Sequence, residues 1–167
     1  MRVWGVVGWK NTGKTGLVER LVTEIASRGL TVSTLKHAHH VFDVDRPGTD
    51  SHRHRQAGAS EVLIASDRRW ALMHEGAAPP LTELIARLSP VDVVIVEGWK
   101  REALPKIETH RAAAGQPLIA PGDPSIRAVA SDSGVGPGDG RPVFDLDDTA
   151  GIADFLLADG LWSDGTG

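Results

Sequence analysis

The chain contains no cysteine. That absence removes disulfides, thiolate metal sites and cysteine nucleophiles together. No run approaches the ~18 consecutive apolar residues needed to span a membrane, so no membrane partner is expected. A basic surplus is missing too. Lys and Arg number 18 against 22 Asp and Glu, for a net charge of −4, whereas nucleic-acid binders normally carry excess positive charge. No nucleic-acid partner is expected either. There is no internal repeat, and no shift of composition marks a domain boundary. The opening segment MRVWGVVGWK is apolar but short, and it leads into a glycine-rich loop rather than a small-residue cleavage site. It reads as a buried strand instead of a signal peptide, with the cytoplasm as the expected compartment.

What is present suits a compact enzyme-sized domain. The 167 residues are 41% hydrophobic, enough for one sizeable core. We expect a single nucleotide-binding domain over 1–162, with 163–167 as a disordered tail. Val3–Val7 is an apolar run ending at Gly8, as in a central strand buried on both faces. From Lys14 to Ser27, Leu17, Val18, Leu21, Val22 and Ile25 recur at helical spacing, and Gly29 supplies a stop. Thr31–Leu35 is β-branched and strand-like. Strand, glycine loop, helix, strand is the unit that favours a parallel sheet.

Farther on, Glu61–Ala65 and Trp70–His74 read as a hairpin across Ser66–Arg69. Pro80–Leu88 reads as a helix, and Val91–Val96 as the most hydrophobic strand, ending at Glu97-Gly98. Pro105–Thr109, Gln116–Ala120 and Ile126–Ala130 are expected short strands, and Ser133–Pro142 a mobile loop. A closing helix over Thr149–Ala158 follows Asp147 and Asp148 as candidate N-caps.

The segment Gly8-Trp9-Lys10-Asn11-Thr12-Gly13-Lys14-Thr15 fits G-x-x-x-x-G-K-[ST] at every fixed position. Its glycines let successive amides wrap a phosphate, and the helix that follows aims its N-terminal dipole at the same anion. Gly8, Asn11, Thr12, Gly13, Lys14, Thr15 and Gly16 are therefore the expected phosphate-binding residues. Lys14 would meet the β- and γ-phosphates, and the Thr15 hydroxyl would ligate Mg²⁺. The strand before and the amphipathic helix after separate this match from an accidental glycine turn. A P-loop also needs an acid at the end of a neighbouring buried strand. Glu97 stands there, as a Mg²⁺-shell or water-positioning residue, while Asp92 at the strand start reads as a surface residue.

Between Lys36 and Arg55 lie five of the chain's 7 histidines. The stretch leaves the second strand at its carboxyl end, where doubly wound sheets bind ligands. Asp43 or Asp45 could there reach Mg²⁺, and Lys36, Arg53 and Arg55 could meet phosphates, in a loop that orders around the terminal phosphate. A plain solvated loop is the alternative. A transition-metal site is disfavoured, since His37 and His39 alternate as on a strand and no His-x₃-His pair occurs.

Three blocks in order, GWKNTGKT at 8–15, KHAHHVFDVDRPGTDSHRHRQAGA at 36–59 and VEGWKREALPKIETHR at 96–111, resemble the molybdopterin-guanine dinucleotide biosynthesis protein B family. The resemblance covers Val3 to about Asp132. It implies an α/β P-loop NTPase fold, a mostly parallel twisted sheet flanked by helices, with a β-hairpin extension. It also implies GTP as nucleotide with Mg²⁺, at most slow GTP hydrolysis, and a homodimer. The implied partner is the guanylyltransferase that joins GMP to molybdopterin, and molybdopterin itself is a further candidate ligand. By motif match Lys14 and Thr15 carry over as phosphate and Mg²⁺ residues, and Glu97 matches the acidic strand end. His37, Asp45, Asp50 and Arg53 fall in the family's histidine-aspartate stretch without individual roles.

The guanine-reading [NT]KxD motif is absent. A carboxylate facing the guanine N1 and N2 protons is the usual solution, and Asp132, just past the strand Ile126–Ala130, is the candidate. Two other functions stay open on the residues alone. One is a small-molecule kinase, with Asp43, Asp45 or Glu97 as base. The other is a metallochaperone GTPase, with His39, His40, His52 and His54 as ligands. Trp70 and Leu72 are candidate dimer-interface residues, although core packing would explain them equally well.

Overall fold

The structure is a computed structural model and describes residues 1–38 and 42–159. His39, His40 and the tail at 163–167 lie outside the described residues. The chain divides into two compact units, one formed by Met1–His37 with Ile85–Gly167 and the other by Ala38–Leu84.

The first unit is built on a six-stranded sheet. Its strands are β1 (Arg2–Val7), β2 (Val32–Lys36), β5 (Val93–Glu97), β6 (Lys106–His110), β7 (Ile126–Ser131) and β8 (Val143–Asp145). They lie in the order β2-β5-β1-β6-β7-β8, and every pairing is parallel. A parallel sheet needs cover on both faces, and alternation along β1 provides for both. Trp4 and Val6 pack with Leu17, Leu21 and Ile25 of helix α1 (Lys14–Ser27) and with Ile152, Ala153 and Leu156 of helix α4 (Thr149–Ala158). Val7 turns the other way, onto Ala120, Ile126 and Val129. The Trp4 indole N–H donates to the Leu156 carbonyl at 3.0 Å, so even this buried ring has its polar atom satisfied. Val93 to Val96 are fully buried. At roughly 1.5–3 kcal/mol for each aliphatic side chain removed from water, β5 is a principal anchor of the sheet.

Because all six strands run the same way, their carboxyl ends meet at one edge. Gly8, His37, Gly98, Arg111 and Asp132 each follow directly on a strand there. The expected fold class is therefore found.

The second unit holds helix α2 (Asp50–Gln56) and the antiparallel pair β3 (Glu61–Ala65) and β4 (Trp70–His74), and ends within helix α3 (Leu81–Ala86). Within it, the Arg55 guanidinium bonds Asp43 at 2.5 Å, Asp45 at 3.1 Å and Glu75 at 2.8 Å.

Four elements depart from the sequence expectations. Gln116–Ala120 is not a strand; a 3₁₀ turn occupies Ala120–Gly122 instead. The N–H groups of Ile119 and Ala120, which a ladder would need, donate to the Glu108 carboxylate. Helix α2 was not expected, since no residue of it is buried and it has no apolar stripe to reveal it. It forms on its ends: Thr49 caps the His52 N–H, Asp50 sits in the first turn, and Arg53, His54 and Arg55 sit in the last, matching the helix dipole. Strand β8 is three residues long and was missed. Helix α3 is shorter than Pro80–Leu88 at both ends. In α4 the N-cap is Asp148, whose carboxylate accepts from the Gly151 N–H at 3.0 Å.

Candidate functional site

The phosphate loop leaves β1 at Gly8, whose φ of +149° and crowding by Thr12 and Thr109 leave no space for a side chain. Gly13, at φ +96°, is the N-cap of α1. Asn11 also takes a left-handed backbone, at φ +66°, a region that asparagine enters more readily than most residues. Two buried hydroxyls brace the loop from beneath. The Thr12 hydroxyl donates to the Trp9 carbonyl at 2.9 Å and lies 2.9 Å from the Thr109 hydroxyl, which in turn reaches the Val7 carbonyl at 3.2 Å. Thr109 stands on β6, so the neighbouring strand sets the loop's shape.

Lys14 and Thr15 open α1. The Lys14 ammonium donates to the Trp9 carbonyl at 2.5 Å, folding back across the loop. Burial holds Lys14 below the usual lysine range; the ammonium groups of Lys100 and Lys36 add to this, and Glu97 opposes it. The Thr15 hydroxyl donates to Glu97 Oε1 at 3.0 Å, and Lys36 Nζ lies 3.6 Å from the same oxygen. Strand register produces this cluster, since Glu97 pairs with Val6 on one side and with Lys36 on the other. Thr15 and Glu97 thus present two hard oxygen donors to one point. That suits Mg²⁺, which binds through one or two protein oxygens and takes its remaining ligands from phosphate and water. Gly16 lies in the first turn of α1, with only the tip of Arg20 nearby.

Several residues at this edge had not been singled out. The Trp9 indole N–H donates to the Pro117 carbonyl at 2.7 Å, and Lys100 Nζ sits 4.2 Å from the Trp9 ring centroid. Arg111 packs its guanidinium against Gly13, so a methyl group there would come within 3.2 Å of Nε. A basic residue one or three positions beyond a strand end is a weak signal; only the parallel sheet brings Lys100 and Arg111 to the loop. His37 donates its backbone N–H to the Glu97 carbonyl at 2.9 Å, and its ring meets Trp99 edge-on. Asp132 is exposed, and its Oδ1 accepts from the Ala112 N–H at 2.9 Å. It therefore stands at the same edge while holding the turn that follows β6.

Asp45, Asp50 and Arg53 belong to the second unit. Asp45 accepts from Ser51 at 2.8 Å and from Arg55 at 3.1 Å, which occupies both of its oxygens. Arg55, expected to be available to phosphates, is held by three carboxylates, and these raise its pKa further. Asp50 and Arg53 form an exposed pair at 3.7 Å along α2. Among the described residues, no group of three or more His, Cys, Asp or Glu is arranged to hold a metal ion. His39 and His40 of the metallochaperone alternative lie outside those residues.

A sequence model of the family "Molybdopterin guanine dinucleotide synthesis protein B" matches residues 3–132. The chain belongs to this family. The matched span contains the phosphate loop, Glu97, Lys100, Arg111 and Asp132. The chain is 39% identical over 155 residues to the molybdopterin-guanine dinucleotide biosynthesis adapter protein of Escherichia coli, covering 89% of this chain and 87% of that one. It is 38% identical over 155 residues to the Haemophilus influenzae protein of the same name, covering 91% and 85%. The crystal structure of a MobB protein homolog from Bacillus stearothermophilus superposes with a TM-score of 0.67 at 27% identity, over 95% of this chain and 97% of that one.

Proposed function

We propose that this protein is a GTP-binding adapter in the biosynthesis of molybdopterin guanine dinucleotide, assisting the guanylyltransferase of that pathway and turning GTP over slowly. The observation that carries the nucleotide part is the phosphate loop itself, with the Thr15 hydroxyl on Glu97 at 3.0 Å and Lys14 folded across the loop. The names of the E. coli and H. influenzae relatives support the adapter part.

In this reading the backbone of Gly8–Gly13 and the N-terminus of α1 take the β-phosphate. Lys14 leaves the Trp9 carbonyl to bridge the β- and γ-phosphates. Mg²⁺, when bound, neutralises charge between those phosphates, and Thr15 and Glu97 are the residues that would hold it. Glu97 accepts from Thr15 and lies beside Lys36, the setting of a metal-shell carboxylate rather than of a general base, which fits slow turnover. Asp132, at the same edge, is the proposed guanine contact.

Self-association belongs to the proposal. The register pairs Leu63 with Leu72 and Ala65 with Trp70, and directly opposed residues share one face of a sheet. On that face Leu63, Leu72 and Trp70 are 61%, 48% and 69% exposed, an apolar surface of the kind found at interfaces.

The decisive experiment is calorimetric titration with Mg²⁺·GTP and Mg²⁺·ATP, with and without the guanylyltransferase. Tight GTP binding, weaker ATP binding and loss of both in Lys14→Ala are expected. GTP affinity unchanged in Lys14→Ala would sink the nucleotide assignment. Turnover of tens per second, or phosphorylation of a pterin acceptor, would replace the adapter with an enzyme.

A further inference from the structure

We infer that Lys100 is a second phosphate-binding cation, one that contacts the terminal phosphate of the bound nucleotide and makes the site prefer a triphosphate to a diphosphate. This rests on the nucleotide reading above and goes beyond it by assigning a residue that the loop motif does not include.

Lys100 lies three positions past Glu97, on the turn that leaves β5, with its ammonium over the ring of Trp9, the second residue of the phosphate loop. The turn itself is held from below. The Lys100 N–H donates to the Gly98 carbonyl at 2.9 Å, and the Lys100 carbonyl accepts from Lys106 Nζ at 2.7 Å. Lys106 is 1% exposed, and its ammonium also donates to the Glu102 carbonyl at 2.8 Å and to Asp123 at 2.7 Å. All three of its N–H groups are thus used on acceptors, one of them a carboxylate, as a buried ammonium requires.

The other side of the contact is anchored in the same manner. Trp9 is held by the Pro117 carbonyl. The segment after Pro117 is held by Glu108, whose carboxylate accepts from the N–H groups of Ile119 and Ala120, each at 2.8 Å. Lys106 and Glu108 are two residues apart on β6, so they share one face of the sheet, and both are 1% exposed. Two buried charges on one strand therefore fix the two partners of one surface contact. An exposed cation–π pair is worth only ~0.5–1 kcal/mol, too little to account for such anchoring. Accurate placement of an ammonium does matter where an anion is to be received.

The electrostatics agree. The Lys14 ammonium reaches the Trp9 carbonyl, Lys100 stands over the Trp9 ring, and Lys36 Nζ lies 3.6 Å from Glu97, so three ammonium groups gather at this edge beside one carboxylate. A cluster of like charges is self-repelling until an anion enters. The β-phosphate belongs to the loop amides at the start of α1. A terminal phosphate would share the Mg²⁺ that Thr15 and Glu97 would hold, and Lys100 stands three residues past Glu97 on the turn that leaves β5.

Calorimetry of wild type, Lys100→Met and Lys100→Arg with Mg²⁺·GTPγS and Mg²⁺·GDP tests the inference. Lys100→Met should weaken GTPγS binding by about 10- to 100-fold, the range of a hydrogen bond to a charged group. It should leave GDP within about twofold, and Lys100→Arg should restore most of the GTPγS affinity. Equal losses for the two nucleotides, or no loss for either, would overturn the role of Lys100 while leaving the nucleotide assignment standing. Wild-type protein that bound neither nucleotide would overturn both.

Discussion

Replacing Gly8 by alanine adds a methyl group at a point where three atoms already stand. The new Cβ would lie 2.5 Å from the Thr12 hydroxyl, 2.6 Å from the Thr109 carbonyl oxygen and 2.6 Å from the Thr109 hydroxyl. The hydroxyls could rotate away, but the carbonyl is backbone of a buried strand and cannot. Overpacking of this kind costs ~1–3 kcal/mol, and an L-residue held in a backbone region reserved for glycine costs a further ~1–3 kcal/mol. The loss should therefore be at least ~2 kcal/mol, a fall in Tm of at least ~4–8 °C for a chain of this size. Gly16→Ala is the matched control. Its nearest neighbour would be Arg20 Nη1 at 3.6 Å, and the site is helical, so the change should stabilise by ~0.5–1 kcal/mol. Thermal melts followed by circular dichroism compare the two directly. If Gly8→Ala melted with wild type, or if Gly16→Ala fell as far as Gly8→Ala, the geometry assigned to the loop would be wrong.

The second unit should loosen in acid. Asp43 is held below its ordinary value of 3.8, first by the hydrogen bond from Arg55 and then by the Asp45 N–H. A depressed carboxylate contributes stability above its unfolded value and loses it as pH falls through the folded one. Protection of the amides of α2 and β3, taken relative to their intrinsic exchange rate at each pH, should therefore fall below pH 3.8, and Asp43→Asn should remove part of that dependence; an identical profile in the variant would count against the ion-pair network. The hairpin face should carry self-association. Trp70→Ser with Leu72→Ser should weaken it by ~30-fold or more, as for loss of an aromatic hot spot, and unchanged sedimentation of the double variant would place the interface elsewhere.

Those elements that announce themselves locally were legible. Apolar runs with a period of two or none gave β1, β5 and β7, and the spacing of Leu17, Leu21 and Ile25 gave α1. The loop from Gly8 to Thr15 was legible because the spacing of its glycines is itself the geometry of this strand-to-helix turn. Elements held by long-range partners were not legible. Gln116–Ala120 has the composition of a strand, yet Glu108, 11 residues before Ile119, takes the N–H groups that a strand would use. Helix α2 buries nothing, so its caps and its Arg55 contacts carry it, and neither leaves a hydrophobic period. Asp45 shows what position alone leaves out. An acid in a loop after a strand looks available, but the fold gives its oxygens to Ser51 and Arg55.

The Gly8–Thr15 loop, the parallel α/β class and the family follow from residue order alone, because each rests on patterns local to short blocks of the chain and on the order of those blocks. The surroundings of the loop do not. Thr109, Lys100 and Arg111 lie roughly a hundred residues from the loop in sequence, and although they fall in the block at 96–111 that carries the family resemblance, nothing there assigns them to the loop. The order β2-β5-β1-β6-β7-β8 brings their strands beside β1. Buried charges on β6 then fix the turn at Lys100 and the segment beside Trp9. A hydrogen bond or an ion pair depends on distances of a few ångströms, and only the folded sheet decides which distant residues come that close.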